Sequence, residues 1–292
     1  MDINYELYKV FYYVADTLSF SEASKQLFIS QSAVSQSIKA LEKKLDQVLF
    51  IRSTKKVQLT PEGEILLRHI EPAINLIKRG ESQIMETAST GGQIRIGASD
   101  TICRYFLGPF LSRFHREFPG IHIKVTNNTS IGCVDLLESG QVDLIFSNYP
   151  NSRLGNTGHM TKVRSFQDVF IANRNYFNLE NQKLSFRELL NYPILMLDRK
   201  STTNEYLHAL FQQHQLDLVP EIELSSNDLL LDLATIGLGI AFVPDYCLPN
   251  HSSDLFPLTL AEELPSRQLM LVHSEQLPLS PAAKQFLEYF TA

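Results

Sequence analysis

Residues 30–39 read SQSAVSQSIK, and how this stretch folds decides how the chain begins. Val34, Ile38, Leu41 and Leu45 recur at steps of four, three and four, which is one face of an α-helix. Ser30 stands where a helix N-cap belongs. Gln31, Ser32, Ser35, Gln36 and Lys39 form a polar stripe facing away from that apolar face, and no acidic residue occurs between Ser30 and Leu41. An ordinary solvated helix face can carry such residues. The alternative is a surface that meets nucleic acid. Glutamine can pair with adenine edges, serine with a base or a phosphate, and lysine with phosphate or guanine.

Working outward, Leu7, Phe11, Val14 and Leu18 predict a first helix, and Ser21 is a candidate N-cap for a short second helix with Ala23 and Leu27. Two helices and a tight turn leading into the 30–45 helix make a helix-turn-helix. FIRSTKKVQLT (50–60) then alternates around Ser-Thr-Lys-Lys and reads as a small hairpin. Thr60-Pro61-Glu62-Gly63 opens a long helix to about Ala88, with Leu66, Ile70, Ala73, Ile74, Ile77, Ile84 and Ala88 in a near-heptad stripe. Pro72 and Gly80 predict a bend or local irregularity within it. STGG (89–92) marks a hinge.

Beyond the hinge, short apolar runs alternate with helical segments. Expected strands are IRIGA (94–98), IHIKV (121–125), VDLIFS (142–147), VFIAN (169–173), PILML (193–197), EIEL (221–224), GIAFVP (239–244) and LMLVH (269–273). Expected helices cover 103–117, 131–139, 203–214, 227–236 and 280–290. This alternation predicts α/β lobes.

The whole chain has 292 residues and a net charge of −6, yet its first 90 residues hold 11 basic and 11 acidic residues. The acidic excess therefore lies entirely in the remainder, and a neutral, locally basic head is free to approach nucleic acid. No apolar run reaches the length of a membrane span, and MDINYELYKVFYYV does not read as a signal peptide, so a cytoplasmic location with no membrane partner is expected. Cys103, Cys133 and Cys247 are scattered without a CxxC pair, which points to buried thiols rather than a disulfide framework or zinc finger.

FSEASKQLFISQSAVSQSIKALEKKL (20–45), LFIRSTKKVQLTPEGE (49–64) and the long helix resemble the N-terminal part of LysR-type transcriptional regulators. The resemblance is dense over residues 3–88 and weaker beyond, where GLGIAFVP (237–244) is similar to that family's second effector lobe. It implies an α/β multidomain protein: a winged helix-turn-helix over 1–60, a linker and dimerisation helix with hinge over 61–90, and a periplasmic-binding-protein-like effector domain over 91–292. Within the last, lobe I covers about 91–163 and 267–292, and lobe II about 164–266. The implied partners are double-stranded promoter DNA, further copies of the chain as a homodimer or homotetramer, and RNA polymerase. The implied cofactor set is empty apart from a small-molecule effector. By position, Gln31, Ser32, Ser35 and Gln36 become groove contacts, with Lys39 on the same stripe, while Arg52, Lys55 and Lys56 fall on the wing toward phosphates. Many relatives have proline at Ser32 and arginine at Gln36, so the preferred base sequence is open.

A ligand in such a two-lobed fold binds between the lobes, where strands end and helices begin. The candidates are Ser99, Asp100 and Thr101 after IRIGA, Asn128 and Thr129 after IHIKV, and Ser201 and Thr202 after PILML. Hydroxyls and helix N-termini there favour a small anion, with a neutral or zwitterionic ligand as the alternative. The same residue types are also ordinary helix caps. Asp100 would oppose an anion unless turned away, and Arg104, one turn later, could bind it directly.

An enzyme is not expected. No GxSxG, P-loop, GxGxxG or HExxH occurs, His208 and His214 are badly spaced for a shared metal, and His69 and His115 stand alone, so no catalytic or metal site is assigned. A transporter's solute-binding protein fits residues 91–292 but neither the N-terminal helices nor the lack of a signal peptide.

Overall fold

The computed structural model describes residues 3–52, 56–86, 91–155, 158–250 and 253–291. The chain forms two compact units, one of residues 1–88 with 139–141 and one of 89–138 with 142–292.

In the first unit, α1 (Tyr5–Thr17), α2 (Phe20–Leu27) and α3 (Gln31–Leu45) precede a hairpin of β1 (Phe50–Arg52) and β2 (Val57–Leu59), then α4 (Pro61–Glu86). Val34, Ile38 and Leu41 are fully buried with Phe11, Val14 and Ala23, so the apolar face of α3 is the core face. The second helix starts earlier than expected. Ser19, not Ser21, is its N-cap, accepting from Glu22 N, and this lets Phe20 turn inward against Phe50. Glu42 Oε1 accepts from Leu49 N at 2.9 Å, fixing the chain between α3 and β1.

Thr60 Oγ1 caps α4, accepting from Gly63 N at 3.0 Å while donating to Val48 O. Gly63 is required there, because a Cβ would lie 2.3 Å from Leu49 O. α4 continues through both Pro72 and Gly80, which lie within one helix rather than interrupting it. Leu66, Leu67 and Ile70 pack on the core and hold the turns before Pro72, offsetting the missing amide donor.

The second unit has two lobes. In the first, β3 (Gln93–Ala98) leads into a continuous helical segment: α5 (Asp100–Ile102), a π turn (Cys103–Leu107) and α6 (Gly108–Glu117). β4 (His122–Asn127), α7 (Ser130–Glu138), β5 (Leu144–Tyr149) and β6 (His159–Phe166) follow. The chain then crosses to β7 (Asp168–Asn173), β8 (Lys183–Leu184), α8 (Phe186–Leu189), β9 (Ile194–Leu197), α9 (Thr202–Gln213), β10 (Ile222–Leu224), α10 (Asn227–Thr235), β11 (Ile240–Pro244), β12 (Leu255–Pro257) and β13 (Thr259–Leu260). It returns through β14 (Arg267–His273) to α11 (Pro281–Thr291).

The sheet orders are β4-β3-β5-β14-β6 and β10-β9-β11-β7-β12, each parallel at one end and antiparallel at the other. Every expected strand is present. β6 was not anticipated, because HMTKVRSF is an edge strand that pairs only with β14 and keeps one face polar and exposed. Cys133 and Cys247 are buried and Cys103 is half-buried, all as free thiols. Burial pushes the Cys103 thiol up to about 11 and the Cys133 thiol up to about 12, so neither is a ready nucleophile.

Candidate functional site

On α3, Gln31, Ser32, Gln36 and Lys39 are exposed and Ser35 is half-buried at the edge of the stripe. Ser30 Oγ accepts from Ala33 N at 3.2 Å and lies 2.9 Å from Ser32 Oγ. Arg52 and Lys56 are exposed on the hairpin, and the Arg52 guanidinium lies over the Phe20 ring at 4.2 Å, which fixes its stem. Lys55, the third residue expected on the wing, lies outside the described residues. The first unit thus presents an acid-free helix face and cations at the base of the hairpin, the chemistry that DNA grooves and phosphates require.

In the second unit a cavity of about 340 Å³ lies between the lobes. Ser99, Asp100, Thr101, Asn128, Thr129, Ser201 and Thr202 all line it. Arg104, expected to reach an anion, does not line it. Its Nη1 lies 3.1 Å from Asp228 Oδ2, and Tyr105 Oη donates to the same carboxylate. The turn is the cause: Arg104 and Tyr105 sit on the π turn, and Asp228 of the other lobe captures both.

Helices converge on this cavity. The helical segment starting at Asp100, α7, α9 and α10 all begin among its lining residues. Each N-terminus offers first-turn N–H groups without intrahelical partners and the positive end of a helix dipole. The capping and ligand readings of the hydroxyls turn out to be compatible. Ser99 Oγ accepts from Ile102 N, Thr129 Oγ1 from Gly132 N and Ser201 Oγ from Asn204 N, at 3.3, 3.1 and 3.1 Å. Each cap uses an oxygen lone pair and leaves the hydroxyl proton available to a ligand. Gly132 leaves room for the Asn128 side chain, since a Cβ there would lie 2.3 Å from Asn128 Oδ1 and displace it.

Sequence reasoning missed Asn148, Ser225, Ser226 and Asn227 among the lining residues. Ser225-Ser226-Asn227 follow EIEL and precede a helix, so the rule applied to the other three entrances would have found them. Asn148 is the penultimate residue of β5 and follows four buried ones, and its polarity there was the available signal. Behind the cavity wall, Arg267 is only 1% exposed. Its Nη1 donates to Asp168 Oδ2 at 2.8 Å and Thr203 Oγ1 at 3.1 Å, and its Nη2 to Thr202 Oγ1 at 3.1 Å. Burial pushes the Asp168 carboxyl up, against the guanidinium that draws it down. Among the described residues no cluster of His, Cys, Asp or Glu is suited to a metal ion, and no helix is long and apolar enough to cross a membrane.

Residues 5–64 match the model of the bacterial regulatory helix-turn-helix protein, lysR family, and residues 87–292 match the LysR substrate binding domain. The chain is 27% identical to the HTH-type transcriptional activator CmpR of Synechocystis, covering 98% of this chain and 94% of that protein. It is also 27% identical to the uncharacterized HTH-type transcriptional regulator YbhD of Escherichia coli, covering 95% and 88%. The solved structure of CbnR, a LysR family transcriptional regulator, superposes with a TM-score of 0.65 at 19% identity, over 99% of this chain and 98% of that one. The regulatory domain of CcmR from Synechocystis, solved in complex with 2-PG, superposes at 0.62 and 22% identity, over 68% and 95%. With both of its parts matched, the chain belongs to the LysR family of DNA-binding transcriptional regulators and is not an enzyme.

Proposed function

We propose that this regulator is switched by a small anion bound in the cavity between its lobes. The convergence of helix N-termini and free hydroxyl protons on that one cavity carries the reading. Charge-assisted hydrogen bonds from such donors are the strong ones, and an anion gains from every dipole that points at it. The ligand need only bind one arrangement of the chain better than another to shift its DNA affinity. A protein of this class works in the cytoplasm.

In this reading Gln31, Ser32, Ser35 and Gln36 meet base edges, with Lys39 beside them, and Arg52, Lys55 and Lys56 hold phosphates. The regulator binds a dyad-symmetric promoter site as a homodimer or homotetramer and acts there on RNA polymerase. The exposed apolar residues Leu76, Ile77 and Ile84 of α4 support self-association, because uncovered apolar surface favours a partner. The anticipated seam is shorter than the sequence implied, since Leu66 and Ile70 pack on the unit's own core.

The test is a melting-temperature screen of small carboxylates and oxyanions on the full chain. Compounds that raise the melting temperature are then added to a promoter-binding assay. A regulator whose promoter affinity is the same with every stabilising compound would be constitutive, and the switching role would fall.

A further inference from the structure

His159 and His273 stand directly opposite each other on β6 and β14, outside the cavity between the lobes. Their ring centres are 5.3 Å apart and their planes meet at 34°. His159 is exposed and His273 half-buried, so the pair is open to solvent. His273 Nδ1 lies 3.3 Å from Ser274 O. A carbonyl oxygen only accepts, so Nδ1 carries the proton, and Nε2 of the neutral ring keeps a free lone pair. A ring N–H donated to a backbone carbonyl is the support that metal-binding histidines have, because it fixes both tautomer and ring orientation. His159 makes no hydrogen bond through its side chain among the described residues, so its ring is free to turn a nitrogen toward the same point.

The ring separation suits a shared ion. Two imidazoles bound to one tetrahedral ion at about 2.0–2.1 Å have ring centres about 5 Å apart. Imidazole suits zinc, nickel and copper, whereas magnesium and calcium seek oxygen ligands. We infer that His159 and His273 together bind a late first-row divalent cation (zinc, nickel or copper), with water completing its coordination. Among the described residues no group of three or more His, Cys, Asp or Glu could hold a metal, so this is a two-ligand site for an exchangeable ion rather than a resident metal centre. β6 is an edge strand that pairs only with β14. An ion held by both strands fastens that edge to the sheet of the first lobe.

The experiment titrates the full-length chain, free of any histidine tag, with the chlorides of zinc, nickel, copper and magnesium in a calorimeter. Melting temperatures are measured with each ion and again after addition of EDTA. At least one of zinc, nickel and copper is expected to bind and to raise the melting temperature reversibly, and magnesium to do neither. His159→Gln and His273→Gln should each weaken that binding about tenfold or more, since loss of a supporting group alone costs about 10–100-fold. His69→Gln, which alters a histidine of the N-terminal unit, should bind as the wild type does. His159 is exposed on an edge strand, so His159→Gln carries the test even if His273→Gln does not fold. Failure of all three ions to bind would overturn the inference. So would undiminished binding in His159→Gln, or an equal loss in His69→Gln, which would mark the binding as nonspecific.

Discussion

Asn227 and Thr101 are 126 residues apart in sequence, yet Asn227 Nδ2 lies 3.0 Å from Thr101 Oγ1. Thr101 is the second residue of the helical segment after β3 and Asn227 opens α10, so the bond joins the two lobes at the cavity wall. One turn away, Asp228 accepts from Tyr105 and pairs with Arg104, both from the opposite lobe. Arg104 is largely exposed, so its pair is weak, whereas the Thr101–Asn227 bond is buried. The cavity therefore has a wall that is itself an interlobe contact, and a ligand touching it acts on the relation between lobes.

Thr101→Val keeps the shape of the side chain and leaves Asn227 Nδ2 without its acceptor. Stability should fall by roughly 1–3 kcal/mol, seen as a lower melting temperature. Adding Asn227→Leu should recover part of the loss, because the orphaned donor is gone. A Thr101→Val protein that melts with the wild type would show that the bond contributes nothing.

Arg267→Met removes the guanidinium that pairs with the fully buried Asp168 carboxylate and should cost about 3–5 kcal/mol near neutral pH. The deficit should depend on pH. Burial already raises the folded-state value of Asp168, and loss of the guanidinium raises it further. The charged form is then penalised only in the fold, so the penalty begins above the unfolded value of about 3.9 and is complete above the folded one. Urea midpoints of wild type and variant should therefore draw together from pH 7.5 to pH 5. A constant gap would mean that lost packing, not charge, dominates.

Gln36→Ala and Lys56→Ala separate reading from holding. The first should cost roughly 1–3 kcal/mol on the specific site and little on random DNA. The second should weaken both alike and lower the salt slope by about one. Competition binding at several salt concentrations measures both. Equal losses of specific and random binding in Gln36→Ala would remove its base-reading role.

Ile77→Lys places a charge among the exposed apolar residues of α4. Sedimentation at micromolar concentration should show monomers where the wild type self-associates. Operator affinity should fall with it, since two recognition helices must be held about one DNA turn apart. A wild type that sediments as a monomer would contradict the proposed assembly.

The N-terminal unit was legible because local signals agree there. The Val34–Ile38–Leu41 spacing, the Thr60 cap and Pro61 each specify the same structure that packing adopts. The α/β strands were legible as buried apolar runs, while β6 was hidden by the polarity of an edge. Cavity-lining residues at strand ends could be named because helix entrances are punctuated by Ser, Thr and Asn. Arg267, Asn148 and the pairing of Arg104 with Asp228 were not legible. The Arg267 and Arg104 pairings depend on which residues meet across the two lobes, and Arg104 and Asp228 are separated by 124 positions. The helix start at Ser19 was displaced from Ser21 by the burial of Phe20, a tertiary demand that overrides cap preference.

The most direct test of an effector-switched regulator uses Ser226→Ala. Ser226 lines the cavity but makes no side-chain cap to α10, so its loss removes a hydroxyl from the site without removing a helix cap. The measurement is promoter affinity as a function of the concentration of the small acid that most stabilises the wild type. In Ser226→Ala the half-maximal concentration should rise about tenfold. Promoter affinity without the acid should be unchanged. An unchanged half-maximal concentration, or a promoter affinity that no cavity-binding acid alters even in the wild type, would contradict the account.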